Sequence, residues 1–278
     1  AGSERVMTPE ELHGFYERAP SVVLADPAWE AAHAALLDAL ESGIVRAAER
    51  RDDGAWVPVA WVKQAILVGF RRSGLVELPG LGGGSSFDKL AFPPRAFTLH
   101  DEVRLVPGGS AVRRGAHLGA GVVLMPPAYV NVGAFIGEGT MVDSHALVGS
   151  CAQVGARVHL SAAAQVGGVL EPVGALPVVI EDDAFIGGLA GLFEGIVVRR
   201  RAVIAAGVVL TGSTEIHDLI HGRTWRREVP EGAVVVPGSR AAAGEWAVKH
   251  GLQISAPLIV KYRDARTDAR TALEDALR

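Results

Sequence analysis

The chain has 278 residues, of which 49% are hydrophobic and 21% charged, an ordinary globular balance that excludes an intrinsically disordered protein. Its formal net charge of −4 argues against a surface built to neutralise a nucleic-acid backbone, and no uninterrupted apolar run approaches the ~18 residues of a membrane span. The single cysteine, Cys151, rules out an intrachain disulfide; with no signal-peptide-like apolar core near the N-terminus, a soluble cytoplasmic protein is expected.

The first third reads as helical. Thr8-Pro9-Glu10-Glu11 is a helix start: a capping residue, a proline whose missing N–H costs nothing in the first turn, then acids at the positive end of the dipole. A second helix is expected after Asp26-Pro27 and on towards Arg50, with Leu36, Leu37, Leu40, Ile44 and Val45 at helical spacing. Asp52-Asp53-Gly54 marks a turn before a short strand at 56–59. A third helix follows over 61–72, with Val62, Ala65, Ile66 and Gly69 on one side. Residues 79–86 are glycine-rich but lack the Gly-Lys-Ser/Thr ending of a phosphate-cradling loop, so they read as a flexible connector.

From about residue 104 a period of six takes over. Val112, Leu118, Leu124, Val130, Ile136, Val142, Val148, Val154, Leu160 and Val166 are spaced six apart without a slip. Ile180, Ile186, Leu192, Val198, Ile204, Leu210 and Ile216 resume the period. Four residues after each of the first nine stands a small residue or valine, from Ala116 to Ala164. The fourteen residues from Val166 to Ile180 exceed two repeats by two, so a small loop is extruded near 171–176. A period of six fits neither the 3.6 of a helix nor the 2 of a plain strand; it is the hexapeptide repeat of a parallel β-helix, three hexapeptides to the coil. Seventeen rungs make between five and six coils, a prism roughly 27 Å long at ~4.8 Å per coil. The 34 glycines suit its many corners. Beyond Ile216 the repeat fades: 223–227 reads as a hairpin loop, 233–236 as a last strand, 256–262 as another strand and 267–277 as a short helix.

Segments inside and outside the repeat share a further pattern. They include WVKQAILVGF (61–70), FDK (87–89), RLVP (104–107), VLMPPAYVNVG (123–133), EGTMVD (138–143), VGSCAQV (148–154), VHLS (158–161) and GGVLEP (167–172). IED (180–182), VVVPGS (234–239), IVK (259–261) and DART (264–267) complete it. Together these resemble the tetrahydrodipicolinate N-succinyltransferase family of lysine and diaminopimelate biosynthesis. The resemblance implies a mainly-β fold: a left-handed parallel β-helix over 101–222, an N-terminal α-helical domain over 1–100 and a small C-terminal β/α extension over 223–278. It also implies a homotrimer with acyl-CoA sites between neighbouring prisms, succinyl-CoA as co-substrate and no permanently bound cofactor.

Making an amide from a thioester requires a neutral amine, an acceptor for its proton and donors for the oxyanion. Asp143 follows the rung residue Val142, where many rungs carry glycine, and in EGTMVD it matches the family's catalytic aspartate. A corner aspartate that binds its own turn amides is the competing structural role. Arg104 matches the family's substrate-carboxylate arginine and would act as a bidentate clamp. Asn131, in VLMPPAYVNVG, is a further substrate-binding candidate. Where family members carry ARSEVVEG, with a catalytic role for the first glutamate, this chain reads GLAGLFEG over 188–195. Leu189 and Gly191 therefore stand at the arginine and first-glutamate positions, and Glu194 alone keeps a carboxylate, as a second catalytic candidate or a structural corner residue.

For the coenzyme A arm the candidates are Ser213 and Thr214 in a Gly corner, Arg223 in the basic segment 223–227, and Lys261 in IVK. A second basic cluster, 199–201, is either a phosphate contact or a solvated face. His117, His145 and His159 lack the paired spacing of a zinc site; no metal is expected, and a polar cleft lining is. Cys151 follows Ser150 near a corner; a nucleophile there would need a basic partner, and it reads as small buried filler. Rival readings are an acetyl-CoA-dependent enzyme acting on a related amino-dicarboxylate, and a β-helix scaffold without catalysis.

Overall fold

The computed structural model describes residues 7–79 and 84–264; the helix expected at 267–277 lies outside them. Helix α1 (Pro9–Tyr16) opens with a capping box, Glu11 N–H donating to Thr8 Oγ1 at 3.3 Å and Thr8 N–H to Glu11 Oε2 at 2.9 Å. A short helix α2 (Pro20–Ala25), which the apolar spacing did not reveal, precedes α3 (Trp29–Glu41). Helix α3 stops well short of Arg50. Gly43 takes φ +79°, the left-handed conformation that ends a helix, and Val45 N–H turns back to Ala39 O at 3.1 Å. Ile44 is thereby 72% exposed, while Val45 is buried. Helix α4 spans Ala60–Arg72. The glycine-rich stretch is not a free connector, since Leu75–Pro79 and Ser85–Lys89 pair antiparallel on either side of it.

All seventeen rung residues fall on two-residue or three-residue strands and are at most 5% exposed. At ~1.5–3 kcal/mol for each buried aliphatic side chain, this column is the main source of the prism's stability. The strands stack in parallel into three faces. The first face begins at Arg104–Leu105 and runs through Val123–Leu124, Met141–Val142, His159–Leu160, Phe185–Ile186 and Val203–Ile204. The second face begins at Ala111–Val112 and the third at His117–Leu118. The small residue after each rung packs inside the corner. Thr140, the one polar member of that column, is fully buried with its hydroxyl donating to Gly155 O (2.8 Å) and accepting from Val158 N–H (3.0 Å).

The N-terminal helices lie against the third face. Leu12, Tyr16, Leu36, Leu37, Leu40 and Ile66 form a second core that takes in Val132 and Cys151 from the prism. The extruded loop beyond Val166 is held by buried Lys63, whose Nζ donates to Ala175 O. Past Ile216 the first face continues. Arg223–Trp225 is no loop but the second strand of a hairpin with Ile216–Asp218. Ala233–Val236 and Leu258–Tyr262 extend the same sheet, and Glu228–Val229 joins the third face. Among the described residues no helix is long and apolar enough to cross a membrane.

Candidate active site

Asp143 begins the corner that leads from the first face to the second. Ala146 N–H closes the turn on Asp143 O at 3.1 Å, with His145 at φ +63°, a type II geometry. The Asp143 carboxylate accepts from Ser144 N–H through Oδ1 (2.7 Å), and its other oxygen lies 4.0 Å from His159 Nε2. One carboxylate oxygen thus serves the turn and the other is available to a ligand, on a side chain that is 32% exposed. His159 is pressed edge-on to Phe185 (ring centroids 5.0 Å apart) on the strand one coil further along.

Arg104 stands on the same face. Its strand is in register with Val123, then Met141, then His159, so Arg104 and His159 occupy one outward row. Two strand spacings, ~10 Å, separate the Arg104 strand from the one that carries Met141 into Asp143. Arg104 N–H bonds to Val122 O (2.9 Å), and the residue is exposed. A dicarboxylate lying across these rungs can meet a cation at one end and a proton acceptor at the other. His159 was legible only as cleft lining. The signal that places it is arithmetic: eighteen residues make a coil, so the outward residue sixteen positions after a corner carboxylate is its neighbour across the strands.

The other candidates stand elsewhere. Asn131 heads a corner between the second and third faces, its Oδ1 accepting from Val132 N–H (2.9 Å). Glu194 belongs to that same edge, two coils beyond Asp143 and one corner on. Glu194 (φ +56°) and Gly195 (φ +72°) are both left-handed, a type I′ corner, and Glu194 Oε2 accepts from Gly212 N–H at 3.2 Å. Within one chain Asp143 and Glu194 are not brought together. Ser213 and Thr214 lie on the corner that Glu194 braces, in a hydroxyl cluster with Thr211 (3.1 and 3.0 Å). Arg223 and Lys261 sit at the far end of the sheet that starts with Arg104. Arg223 lies over the Trp225 ring (4.3 Å), and Lys261 Nζ is 3.4 Å from Asp264.

Arg199 is spent within the chain, donating to Glu181 (2.9 Å), Glu228 (2.8 Å) and Gly54 O (2.9 Å), so that part of the basic cluster is a structural junction. His117 stacks on Phe135 and donates Nδ1 to Glu41 O (2.8 Å); burial lowers its pKa. Cys151 is fully buried, and desolvation pushes its thiol up to about 12, far from a nucleophile's range.

At the position of the family's first glutamate, Gly191, a neighbouring aromatic side chain takes up the space. A Cβ on Gly191 would come within 2.6 Å of the Phe193 ring, and so would one on Gly167 in the coil before. Phe193 therefore packs against two glycines, and a longer side chain at either one requires the ring to move. Leu189 shares the corner column of His145 and is 72% exposed, so an apolar side chain projects where the family places a cation.

Comparison with known proteins bears on most of the chain. The family model for the tetrahydrodipicolinate N-succinyltransferase N-terminal domain matches residues 15–71, and that for the hexapeptide repeat of succinyl-transferase matches 177–212. A 2,3,4,5-tetrahydropyridine-2,6-dicarboxylate N-succinyltransferase from Polynucleobacter asymbioticus is 45% identical over 88% of this chain and 88% of its own. One so named from Rhodopseudomonas palustris is 45% identical over 87% of each, and one from Paraburkholderia xenovorans 41% identical over 94% of this chain and 93% of its own. A solved hexapeptide-repeat acetyltransferase from Vibrio cholerae shares 23% identity over 43% of this chain and 67% of its own, with a TM-score of 0.32, a likeness too partial to add to these. On the strength of its sequence relatives, this chain, with its left-handed parallel β-helix, belongs to the tetrahydrodipicolinate N-succinyltransferase family.

Proposed function

We propose that this protein is a succinyl-CoA-dependent N-succinyltransferase acting on tetrahydropyridine-2,6-dicarboxylate in its hydrated, ring-opened form. The amine attacks the thioester carbonyl, Asp143 accepts the proton that the amine loses, and the carbon–sulfur bond breaks as the carbon–nitrogen bond is completed. The departing thiolate takes up a proton and leaves as free coenzyme A. Arg104 holds a substrate carboxylate, and Asn131 and Glu194 come to the reaction from a different prism edge. Such a site is completed between neighbouring prisms of a homotrimer, with the acyl-CoA arm directed towards Ser213, Thr214, Arg223 and Lys261. The protein works in the cytoplasm and keeps no resident cofactor.

The single observation that carries this reading is the pairing on one face of a turn-anchored carboxylate with a free oxygen, Asp143, and an exposed arginine in the same register, Arg104. The experiment is a free-coenzyme-A release assay that crosses succinyl-CoA and acetyl-CoA against the ring-opened dicarboxylate and simple amines. Turnover is expected with succinyl-CoA and only in the presence of the dicarboxylate. Turnover with acetyl-CoA alone would move the enzyme to the acetyl-transferring reading, and no turnover with either donor would reduce the chain to a scaffold. Light scattering is expected to give three chain masses; a single chain mass would overturn the assembly.

A further inference from the structure

Between the N-terminal unit and the third face lies a cavity of about 480 Å³ that the reaction above does not use. Its wall is built around Arg46. The guanidinium carbon lies over the Phe135 ring, 3.7 Å from the centroid, with the Trp56 ring at 5.6 Å, and His117 stacks on Phe135. Nε donates to Gln153 Oε1 at 2.9 Å, and Gln153 is itself buried and fixed by its amide to Cys151 O (3.0 Å). No described carboxylate lies within ion-pair distance of Arg46, and the two terminal nitrogens of its fork have no protein acceptor among the described residues. Burial brings the Arg46 pKa down to about 10, while Asp182 and Glu49, beyond ion-pair distance, act against that shift.

The acids on the same wall are all engaged. Glu181 accepts from Trp56 Nε1 (2.9 Å), Arg199 (2.9 Å) and Arg200 N–H (3.1 Å). Asp182 accepts from Ala156 N–H (2.9 Å), and Glu138 faces Arg157 at 3.5 Å. The Arg46 fork is therefore the donor group on this wall that is left for a ligand. The charge of an anion held there is limited, because Arg46, Arg50 and Arg200 are matched in the lining by Glu138, Glu181 and Asp182, and a polyanion would meet three fixed carboxylates.

We propose that this cavity is a second small-molecule site, distinct from the Asp143 corner, which takes a small organic monocarboxylate with a flat apolar body. The carboxylate engages the Arg46 fork in the bidentate geometry that a lysine cannot reproduce, and the body lies among Trp56, Phe135 and His117.

The test is calorimetric titration of the full chain with benzoate, with benzamide and inorganic phosphate as comparison ligands. Benzoate is expected to saturate below about 20 mM, the range for nine heavy atoms, with benzamide at least ~10-fold weaker and phosphate weaker than benzoate. Binding should be unchanged with coenzyme A present and lost in Arg46→Gln. Arg46→Lys keeps the cation and the packing but not the fork, and should weaken benzoate by ~5-fold or more with its circular dichroism unaltered, so the proposal does not depend on the glutamine variant folding. Absence of saturation, equal binding of benzamide, tighter binding of phosphate, displacement by coenzyme A, or full affinity in Arg46→Lys would each overturn it.

Discussion

Asp143 Oδ2 and His159 Nε2 face each other at 4.0 Å across two neighbouring rungs of one sheet, too far for a direct hydrogen bond and close enough for one substrate atom to touch both. That separation turns a corner aspartate into a candidate acid–base group. The carboxylate is anchored by Ser144 N–H through one oxygen, which leaves the other to face His159.

Asp143→Asn is expected to lower kcat by at least ~10²-fold, the low end for losing a general base. The asparagine carbonyl can still accept from Ser144 N–H, so the thermal midpoint and the oligomeric state should stay as in the parent. Turnover near the parent's would leave Asp143 with its turn alone.

Glu194 sits in a left-handed corner and spends Oε2 on Gly212 N–H. Glu194→Gln preserves an acceptor for that bond, so kcat/KM should change by less than about tenfold, ~1.4 kcal/mol of transition-state stabilisation. A folded, trimeric and inactive Glu194→Gln enzyme would instead put Glu194 in the proton transfer.

Phe193 and Gly191 exclude each other's alternatives. Gly191→Glu forces a Cβ to within 2.6 Å of the ring and is expected to cost about 1–3 kcal/mol. Adding Phe193→Val should recover most of the lost thermal midpoint. Equal midpoints for Gly191→Glu with and without Phe193→Val would show that the ring is not the obstacle.

Asp218 governs the acid stability of the C-terminal hairpin. Its burial opposes ionisation, but donation from His221 Nδ1 (2.9 Å), Tyr262 OH (2.8 Å), His221 N–H (3.1 Å) and Trp225 Nε1 (3.4 Å) outweighs this and holds the carboxyl well below its usual range. A depressed folded-state pKa stabilises fully above the unfolded value, ~3.9, and progressively less as pH falls below it towards the folded value. Asp218→Asn should therefore cost about 1–3 kcal/mol at pH 7, with the gap from the parent narrowing below about pH 4 in thermal melts. A gap that stays constant from pH 7 to pH 3 would contradict this.

The prism was legible from its residues. Each rung needs one buried aliphatic side chain and one small corner residue, so a period of six imposes strands and burial together, and Val112 to Ile216 all took their expected places. Asp143 and Arg104 could be named because short motifs carry them. Their common face could not be read from motifs alone; it follows from register, Arg104 to Val123 to Met141. The early end of α3 depended on the backbone of Gly43, which apolar spacing does not encode, and Ile44 and Val45 kept the pattern while the chain left the helix. The cluster 199–201 read as a solvated face or a phosphate contact because the partners of Arg199, namely Glu181, Glu228 and Gly54, come from other segments. The Phe193 ring over Gly167 and Gly191, and the stacking of Arg46 on Phe135, likewise join residues that are remote in the chain or set by side-chain direction. Local composition fixes which residues can turn, bury or ionise; only the stacking of coils and the docking of the N-terminal unit decide which of them meet, because those contacts form between segments with no spacing rule in common.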